Sequence, residues 1–440
     1  MKKLSAMLLA VLLLAAVMPQ TAFGSSPVPA AQTARTTLLD LTNQTTSVSN
    51  SAEGWSFNPT GYNGNPQLTL NSYGTASQHS APISLPANSR VVVNGSCYID
   101  NVYMGEPYSV LAGLPNGYLL IEGTGTLNLY ADQYNGRCID IPGGGYNEAR
   151  ELLYINDITV NCYGRQPNMY TAFANEAMIF SITSIYITNA VINTYNGGCG
   201  IRAYGHTPIG GVSEETASEI VIDSSDINIV IDAVDNVWNY AQGIRTTFGK
   251  IRITGDSNVN INAGSCSIYS YLSFTIEGGN VNIRSTPLSY GVGIYAIVYC
   301  GSLRLMNGMG QVYFGTTRYP NTNIVWSEER SDPVCESGVT FDIGSYTNME
   351  FVSGPDPDNN DLPAIKAHGS GETPPPPVLM GDVDGNGVVD MQDALMVLRY
   401  SMGLISAMPV MAAADVNSSG QIEMNDALMI LRAAMGLISI

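Results

Sequence analysis

Basic residues are scarce in this chain, which has 18 lysines and arginines against 37 aspartates and glutamates and a formal net charge of −19. A surface with this excess of negative charge repels phosphate groups, so we do not expect a nucleic-acid partner. Charged residues of either sign make up only 12% of the sequence, whereas glycine contributes 45 residues. Low charge with many small polar residues is typical of a β-rich extracellular protein.

The sequence also lacks an even set of cysteines and any Cys-x-x-Cys pair. Seven cysteines cannot all be joined by disulfide bonds within one chain, so at least one thiol is free. We expect buried thiols in a strand-rich core, where free cysteine packs as a small apolar side chain. The seven are Cys97, Cys138, Cys162, Cys199, Cys266, Cys300 and Cys335.

Long apolar runs are missing outside the N-terminus. There an apolar stretch from Leu8 to Val17 follows two lysines, and small residues flank Phe23. The stretch is short for a membrane span and has the organisation of a cleaved secretory leader. We therefore predict a signal peptide over residues 1–24, disorder over residues 25–35, and a secreted protein without a membrane span after cleavage.

Residues 36–353 contain a repeated pattern in which an apolar residue, a turn-forming cluster and an apolar residue beside asparagine follow one another. Six copies are "LIEGTGTLNL" from Leu120, "YINDITVNCY" from Tyr154, "YITNAVINTY" from Tyr186, "VIDSSDINIV" from Val221, "RITGDSNVNI" from Arg252 and "FTIEGGNVNI" from Phe274. A degenerate seventh copy is "LRLMNGMGQVYF" from Leu303. The asparagines, which are Asn128, Asn161, Asn193, Asn228, Asn260 and Asn282, are separated by 33, 32, 35, 32 and 22 residues.

The shortest step suits one turn of a parallel β-helix, and the longer steps suit the same turn with extra loop residues. We therefore predict a mainly β fold, a right-handed parallel β-helix, over residues 36–353. Because side chains alternate along a strand, Asn128 points outward if Leu127 and Leu129 enter the core. Successive coils would then stack an exposed stripe of Asn, Thr and Tyr. A β-sandwich is the first alternative and a propeller the second.

After the repeats the composition changes. The stretch "GPDPDNNDLPAIKAHGSGETPPPP" has no hydrophobic period and ends in four consecutive prolines. Consecutive prolines favour an extended, semi-rigid spacer. We predict a Pro-rich interdomain linker over residues 354–379.

The C-terminal segment is an internal duplication, because Asp382–Ser406 and Asp415–Ser439 are identical at 15 of 25 positions. Each copy has the pattern of a twelve-residue calcium loop, with oxygen donors at alternate positions, a turn-forming glycine and a closing carboxylate. The predicted Ca²⁺ ligands are Asp382, Asp384, Asn386, the Val388 carbonyl, Asp390 and Asp393 in the first loop, and Asp415, Asn417, Ser419, Gln421, Glu423 and Asp426 in the second.

The alternative, an acidic turn that merely precedes a helix, does not explain why two copies keep the pattern in register. The first loop has four carboxylates and the second has three, so we predict weaker calcium binding by the second. Each loop leads into one predicted helix with an apolar stripe, by which the two helices would pack on each other. The stripes are Ala394, Leu395, Leu398 and Met402, and Ala427, Leu428, Leu431 and Met435.

This loop–helix duplication without a preceding helix resembles the type I dockerin family. The resemblance implies that residues 380–440 form a calcium-folded module that binds a cohesin on a scaffoldin and docks its parent protein into a cellulosome-like complex. The family's cohesin contacts correspond to Met391, Gln392, Arg399, Met424, Asn425 and Arg432. The two sets are nearly the same, which fits binding through either helix. The Met-Gln and Met-Asn pairs differ from the pairs common in the family, so the cohesin partner stays open.

Dockerin-bearing proteins are mostly enzymes that act on plant polysaccharide, and a β-helix can host glycoside hydrolases or polysaccharide lyases. A hydrolase needs paired carboxylates at a fixed separation, and a lyase needs a base near the abstracted proton. The acidic candidates are Asp223, Asp226, Asp232 and Asp235. Their alternative role is that of solvated aspartates in turns. The dense basic group nearby is Arg245, Lys250 and Arg252.

The alternative to an enzyme is a non-catalytic β-helix that binds glycans or acts as an adhesin. The repeats also look similar to carbohydrate-binding repeats of secreted bacterial surface proteins. Aromatic side chains on loops stack well on sugar rings. The candidates are Tyr103, Tyr108, Tyr146, Tyr163, Tyr204, Trp238 and Tyr240. We favour a polysaccharide-engaging component over an enzyme, because catalytic signatures are missing from the repeats.

Overall fold

The chain divides into two compact units at Gly371 and Glu372, and each unit is described by itself. The computed structural model describes residues 38–101, 109–115, 117–131, 136–142, 152–164, 177–204, 217–231, 242–263, 266–285, 296–316, 323–327, 333–369, 380–383, 389–402, 404–405, 408, 410–417, 421–435 and 438. The predicted signal peptide (1–24) and disordered segment (25–35) lie outside these residues. Among the described residues, no helix is both long enough and apolar enough to cross a membrane.

The first unit is a parallel β-solenoid whose chain passes through three sheet faces, here named A, B and C, in each coil. Face A contains β1 (Leu39–Asp40), β5 (Ile83–Ser84), β8 (Ser109–Ala112), β11 (Arg137–Ile141), β14 (Ala177–Ser181), β17 (Cys199–Ala203), β20 (Gln242–Thr246), β27 (Asn323–Ser327) and the first halves of β23 (Ile268–Ile276) and β25 (Ala296–Leu305). Face B contains β4 (Asn65–Asn71), β6 (Ser89–Asn94), β9 (Tyr118–Glu122), β12 (Leu152–Asn156), β15 (Ser184–Thr188), β18 (Ser218–Asp223), β21 (Gly249–Thr254), β28 (Val334–Cys335) and the second halves of β23 and β25. Face C contains β7 (Ser96–Asp100), β10 (Thr126–Ala131), β13 (Thr159–Gly164), β16 (Val191–Tyr195), β19 (Asp226–Val230), β22 (Asn258–Ala263), β24 (Asn280–Ser285) and β26 (Gln311–Thr316).

The predicted repeat is confirmed on face C, where the six asparagines lie in register on neighbouring parallel strands. Leu127 and Leu129 are fully buried in the core, so the asparagine between them points away from it. The degenerate seventh copy is also confirmed, because β26 places Tyr313 beside Asn282. One coil was missed, since β7 continues the same stack before Asn128 with Tyr98.

Turns from face B to face C are short and depend on residues in the left-handed region. Asp157, Asn189 and Ser224 occupy equivalent turns with φ of 53°, 49° and 48°. Aspartate and asparagine tolerate this conformation because their short side chains bond to the local backbone. These turns fix where each coil bends and hold the asparagines in register.

Antiparallel strands close both ends of the solenoid. At the N-terminal end β2 (Val48–Asn50) and β3 (Trp55–Tyr62) precede β4 in an antiparallel arrangement. At the C-terminal end β33 (Leu362–His368) pairs antiparallel with β26 and with β29 (Thr340–Ile343) and β32 (Gly354–Asp356). The remaining elements are a hairpin of β30 (Ser345–Thr347) and β31 (Glu350–Val352) and a 3₁₀ turn at Pro357–Asn359.

The linker prediction is therefore wrong for residues 354–369. Composition suggested a spacer, but β33 covers the last coil and buries Ala364, Ile365 and Ala367. An uncovered edge strand exposes a row of unpaired backbone groups, and pairing these groups outweighs the weak strand propensity of this segment. Residues 370–379, which include the prolines, lie outside the described residues.

The second unit contains two helices, α1 (Met391–Ser401) and α2 (Met424–Ala434), and a 3₁₀ turn at Met411–Ala413. Its core includes Val397 and Ile430, which are fully buried, together with the small residues Ala394 and Ala427. The predicted packing stripes are wrong at Leu395, Met402 and Met435, which are exposed. Alanine lets the helices approach closely along the Ala394–Val397 face, and this turns the next face of α1 outward.

Candidate functional site

The first predicted calcium loop is tied to α1 by its closing residue, Asp393, which is fully buried. Its Oδ1 accepts a 2.9 Å hydrogen bond from Val383 N, and its Oδ2 accepts one of 2.8 Å from Asp390 N. Asp390 caps the helix by accepting a 2.6 Å bond from Gln392 N. Asp382 is also buried. The other predicted ligands, Asp384, Asn386 and Val388, lie outside the described residues.

The second loop repeats this arrangement around Asp426, which is also fully buried. Its Oδ1 accepts a 3.2 Å bond from Asn417 N and its Oδ2 accepts a 2.9 Å bond from Glu423 N. Burial raises the pKa of Asp426, and the negative charges of Asp415 and Glu423 raise it further against the effect of the two backbone bonds. Gln421, the seventh residue of the loop, is exposed, and Ser419 lies outside the described residues.

These donors fit a hard divalent cation. Three carboxylates (Asp415, Glu423 and Asp426) repel one another in the second loop, and a bound Ca²⁺ would replace that repulsion by attraction. A buried carboxylate is stable as an anion only when it is paired or binds a metal. Calcium would therefore hold each loop to the start of its helix.

The predicted cohesin contacts occupy equivalent surface positions of the two helices. Met391, Gln392 and Arg399 are exposed on α1. On α2, Asn425 and Arg432 are exposed and Met424 is half-buried. The structure adds Leu395 and Met402 to the exposed face of α1, each more than a third exposed. A helix face with this apolar content suits a protein partner.

The weak catalytic candidates Asp223 and Asp226 lie on either side of a short turn between faces B and C. Ser224 Oγ donates a 3.0 Å bond to Asp223, and Asn258 Nδ2 donates a 3.0 Å bond to Asp226. Their positions match the alternative role of solvated turn aspartates. Asp232 and Asp235 lie outside the described residues. Among the described residues of the solenoid, no three His, Cys, Asp or Glu side chains are grouped so that they could hold a metal ion.

The aromatic candidates divide into covered and undescribed residues. Tyr163 lies between Tyr130 and Tyr195, with ring centroids 4.7 Å and 5.3 Å away, so both of its faces are covered. A sugar ring cannot stack on such a residue. Tyr204 meets Phe248 edge-on at 5.7 Å and lies beside the Arg202 guanidinium. The other candidates, Tyr103, Tyr108, Tyr146, Trp238 and Tyr240, lie outside the described residues.

Face A carries an outward column that the sequence patterns did not reveal. Its members share one register position on seven neighbouring strands, and each is next to the inward-facing residue that fills the core. We name them the face A column: Asp140, Phe180, Arg202, Arg245, Tyr269, Tyr299 and Trp326. The adjacent core residues are Ile139, Ile179, Ile201, Ile244, Ile268, Val298 and Val325.

Cations and aromatic rings alternate at one end of this column. The Cζ of Arg137 lies 3.8 Å from the Phe180 ring centroid, and its Nη1 contacts Asp140 Oδ1 at 2.8 Å. The Cζ of Arg245 lies 4.6 Å from the Tyr269 centroid. Burial, together with the positive charges of Arg245 and Arg137, lowers the pKa of Arg202 to about 10.

The first three members of the column, Asp140, Phe180 and Arg202, are buried, and the later members are more exposed. Arg202 is 4% exposed, Arg245, Tyr269 and Tyr299 are half-buried, and Trp326 is 47% exposed.

The long connections of the solenoid also attach to face A. Those that include residues 102–108, 132–135, 165–176, 232–241 and 286–295 precede its strands, and those that include 143–151 and 205–216 follow them. The described turns between faces B and C are short, so face A has the largest potential for loop variation.

The structure separates the basic group that the sequence placed together. Arg245 belongs to face A, whereas Lys250 and Arg252 lie on face B, each with an oxygen of a glutamate 3.8 Å from its terminal nitrogen. One sequence signal points to the column: Gly-Ile-Arg occurs at 200–202 and again at 243–245. Both arginines follow a fully buried isoleucine, which is the alternation of an outward side chain.

Comparison with known proteins identifies one region of the chain. Residues 380–433 match the family described as Dockerin type I domain. Neither curated proteins nor solved structures gave a match. Domains of this family bind calcium and imply a cohesin partner in a cellulosome-type assembly. The chain thus consists of a parallel β-solenoid followed by a type I dockerin domain.

Proposed function

We propose that this protein is a secreted, non-catalytic component of a cellulosome-type complex whose solenoid binds plant cell-wall polysaccharide. The dockerin would hold the protein on a scaffoldin through a cohesin, with one Ca²⁺ in each loop. The solenoid would contact the polysaccharide through the face A column. The predicted domain arrangement, with the signal peptide removed, is part of this proposal.

One observation carries the assignment of binding to face A. Its column places cationic and aromatic side chains in six successive coils, and the longest connections of the sequence precede or follow the strands of face A. Polysaccharide sites combine aromatic surfaces with a few polar groups along an extended groove. Asp223 and Asp226, by contrast, lie on turns that do not border face A.

A panel of pectin, xylan and glucan polymers, tested with the full chain, would examine the proposal. We expect retention of the protein by at least one polymer in affinity electrophoresis without release of reducing ends or unsaturated products. Asp223→Asn and Asp226→Asn serve as matched controls and should leave retention unchanged. Failure to bind any polymer contradicts the proposal.

A second candidate, cleavage by a polysaccharide lyase, is favoured by the lowered pKa of Arg202. A guanidinium with a pKa of about 10 exchanges a proton more readily than an ordinary arginine. Elimination would remove the proton α to a uronate carboxyl, break the glycosidic C–O bond and leave a carbon–carbon double bond. Product absorbance that disappears in Arg202→Lys would support this candidate. A hydrolase that uses Asp223, Asp226, Asp232 or Asp235 would instead release saturated products and lose activity in the aspartate variants.

A further inference from the structure

Face C carries a regular array of asparagine side chains on its outer surface towards the C-terminal end of the solenoid. Strands β19, β22 and β24 are paired in parallel, so their outward residues form three rows that cross the strands. Six of these nine residues are asparagines, which we name the face C grid: Asn228, Asn258, Asn260, Asn262, Asn280 and Asn282. The other three are Asp226, Val230 and Arg284. Asn228 is half-buried and the other five asparagines are exposed, so the face C grid is accessible to a ligand.

Hydrogen bonds between coils fix the orientation of these amides. Asn280 Nδ2 donates a 3.0 Å bond to Asn258 Oδ1, and Asn258 Nδ2 donates one of 3.0 Å to Asp226 Oδ1. Asn260 Nδ2 donates a 3.3 Å bond to Asn228 Oδ1. A primary amide has two N–H donors and a carbonyl oxygen with two lone pairs, so an amide in this ladder keeps one donor and one acceptor position for a ligand. The face C grid is therefore a preorganised set of donors and acceptors.

The face C grid repeats at fixed distances in two directions. Neighbouring strands lie about 4.8 Å apart, and alternate residues on one strand lie about 6.6 Å apart. The residues between the asparagines, such as Val259 and Ile283, are buried in the core, which holds this spacing. A single flexible chain can follow one row and loses conformational freedom on binding, whereas an ordered surface has little freedom to lose and meets several rows at once. The geometry therefore favours a ligand that is itself ordered in two dimensions.

The chemistry of the face C grid selects an uncharged ligand that carries hydroxyl groups. Among the nine outward residues there is one acid, Asp226, and one base, Arg284, so this surface has almost no net charge although the chain carries −19. Val230, at 38% exposure, is the exposed large apolar residue among them. Protein interfaces are anchored by aromatic, methionine and arginine side chains, and three amide rows do not supply such anchors. Amides do bond to hydroxyl groups, both as donors and as acceptors.

We propose that the face C grid binds the surface of an ordered, uncharged polysaccharide, on which the same hydroxyl groups recur at short, regular intervals. The proposal rests on the proposed polysaccharide-binding function and adds to it a second surface and a second form of polymer. The face A column would bind individual chains. The face C grid would bind where chains are packed side by side, and each amide would add one weak contact to many.

Depletion of the full chain from solution by microcrystalline cellulose, and by the same polymer swollen until it is amorphous, tests the proposal, because the two forms differ in order and not in chemistry. We expect tighter binding per unit area of the crystalline form, with an affinity that added salt leaves unchanged. The double variant Asn262→Ala with Asn282→Ala removes two exposed amides that make no side-chain bond among the described contacts. It should weaken binding by about tenfold, the factor for two lost neutral hydrogen bonds.

The matched control is Asn71→Ala with Asn94→Ala on face B. This pair also consists of two exposed amides, which bond to each other at 2.9 Å outside the face C grid. The control should change the affinity for crystalline cellulose by less than about twofold. Thermal unfolding of both double variants checks that the solenoid is folded.

Equal binding of the crystalline and amorphous forms, or equal affinities of the Asn262→Ala, Asn282→Ala variant and the native protein, would overturn the inference. A concentration-dependent dimer that this variant loses in analytical ultracentrifugation would also overturn it, because a second copy of the chain would then occupy the face C grid. Retention by soluble polymers without binding to crystalline cellulose would overturn the inference and leave the proposed function standing. Binding to crystalline cellulose alone would support the face C grid and contradict binding through the face A column. Binding to no polymer would overturn both.

Discussion

The Nδ2 of Asn193 donates a 2.8 Å hydrogen bond to Oδ1 of Asn161 on the preceding coil, and its own Oδ1 accepts a 3.0 Å bond from Asn228. Each amide in this ladder is therefore donor to one coil and acceptor from the next. The ladder begins where Asn128 donates to the Cys97 carbonyl at 3.1 Å. It links the coils outside the core, in addition to their backbone pairing.

Removal of one amide from the middle of this ladder should destabilise the solenoid. Asn193→Ala deletes two side-chain bonds that each contribute about 1 kcal/mol, so we expect a loss of about 1–2 kcal/mol. Asn282→Ala is the matched control, because Asn282 has the same register but is exposed and makes no side-chain bond among the described contacts. Denaturant unfolding followed by circular dichroism measures both. Equal losses would mean that the ladder adds nothing to stability.

Six of the seven thiols should resist alkylation in the native protein. Those six are buried, and burial raises the pKa of Cys199 to about 11 and that of Cys266 to about 12. Because the thiolate is the reactive form, buried thiols react slowly at neutral pH. Cys335 is half-buried and should be labelled first. Mass spectrometry after maleimide treatment should find one label natively and seven after denaturation without reductant. A lower denatured count would reveal disulfide bonds, and Cys335→Ser should remove the native label.

Calcium titration should detect two unequal sites in the dockerin. The first loop has carboxylates at Asp382, Asp384, Asp390 and Asp393, and the second replaces two of its oxygen donors by weaker ones. Calorimetry of the native chain should therefore resolve a tighter and a weaker binding event. Asp393→Asn should abolish the tighter event and Asp426→Asn the weaker one. Identical affinities for the two loops would contradict the argument from ligand charge.

Acidification should weaken the second calcium loop. Protons compete with Ca²⁺ for Asp426, whose pKa is raised above 3.8 by burial and by neighbouring acids, so its affinity for calcium falls as pH drops towards that raised pKa. Without calcium, the effect of pH on the stability of the domain has the opposite sign. A carboxyl with a raised pKa binds more protons in the folded state, and lower pH then stabilises the fold. We expect the thermal unfolding midpoint to fall with decreasing pH when calcium is present, and to rise with decreasing pH when a chelator is present. Asp426→Asn should reduce the dependence of the unfolding midpoint on pH in the presence of the chelator.

Either dockerin helix should support cohesin binding. Arg399 and Arg432 occupy equivalent exposed positions on α1 and α2. Arg399→Glu or Arg432→Glu alone removes one of two equivalent modes, which should cost only about a factor of two in affinity. The double variant should bind no member of a panel of type I cohesins in surface plasmon resonance. A complete loss in one single variant would show that only one helix binds.

Much of the fold follows from patterns that repeat in the sequence. The paired asparagines predicted the parallel strands of face C, because a residue that recurs once per coil must stack on its own copies. The duplicated loops located the dockerin for the same reason. Both signals depend on copies that keep their spacing.

The features that were missed depend on tertiary structure. Arg202 and Arg245 lie in different coils, and connections of variable length hide their common register. The role of β33 depends on the open edge of the last coil, which no local composition records. Leu395 is exposed because Ala394 sets the distance between the helices, so helical spacing alone could not choose the packed face.

The antiparallel cap formed by β33 has an evolutionary consequence. It blocks the last coil from pairing with another solenoid, so the structure can gain or lose length only by duplication or deletion of an internal coil. Each internal coil adds about 4.8 Å and one member to the face A column. Related proteins could thus extend the polymer-binding face by one coil at a time while keeping the antiparallel strands at both ends.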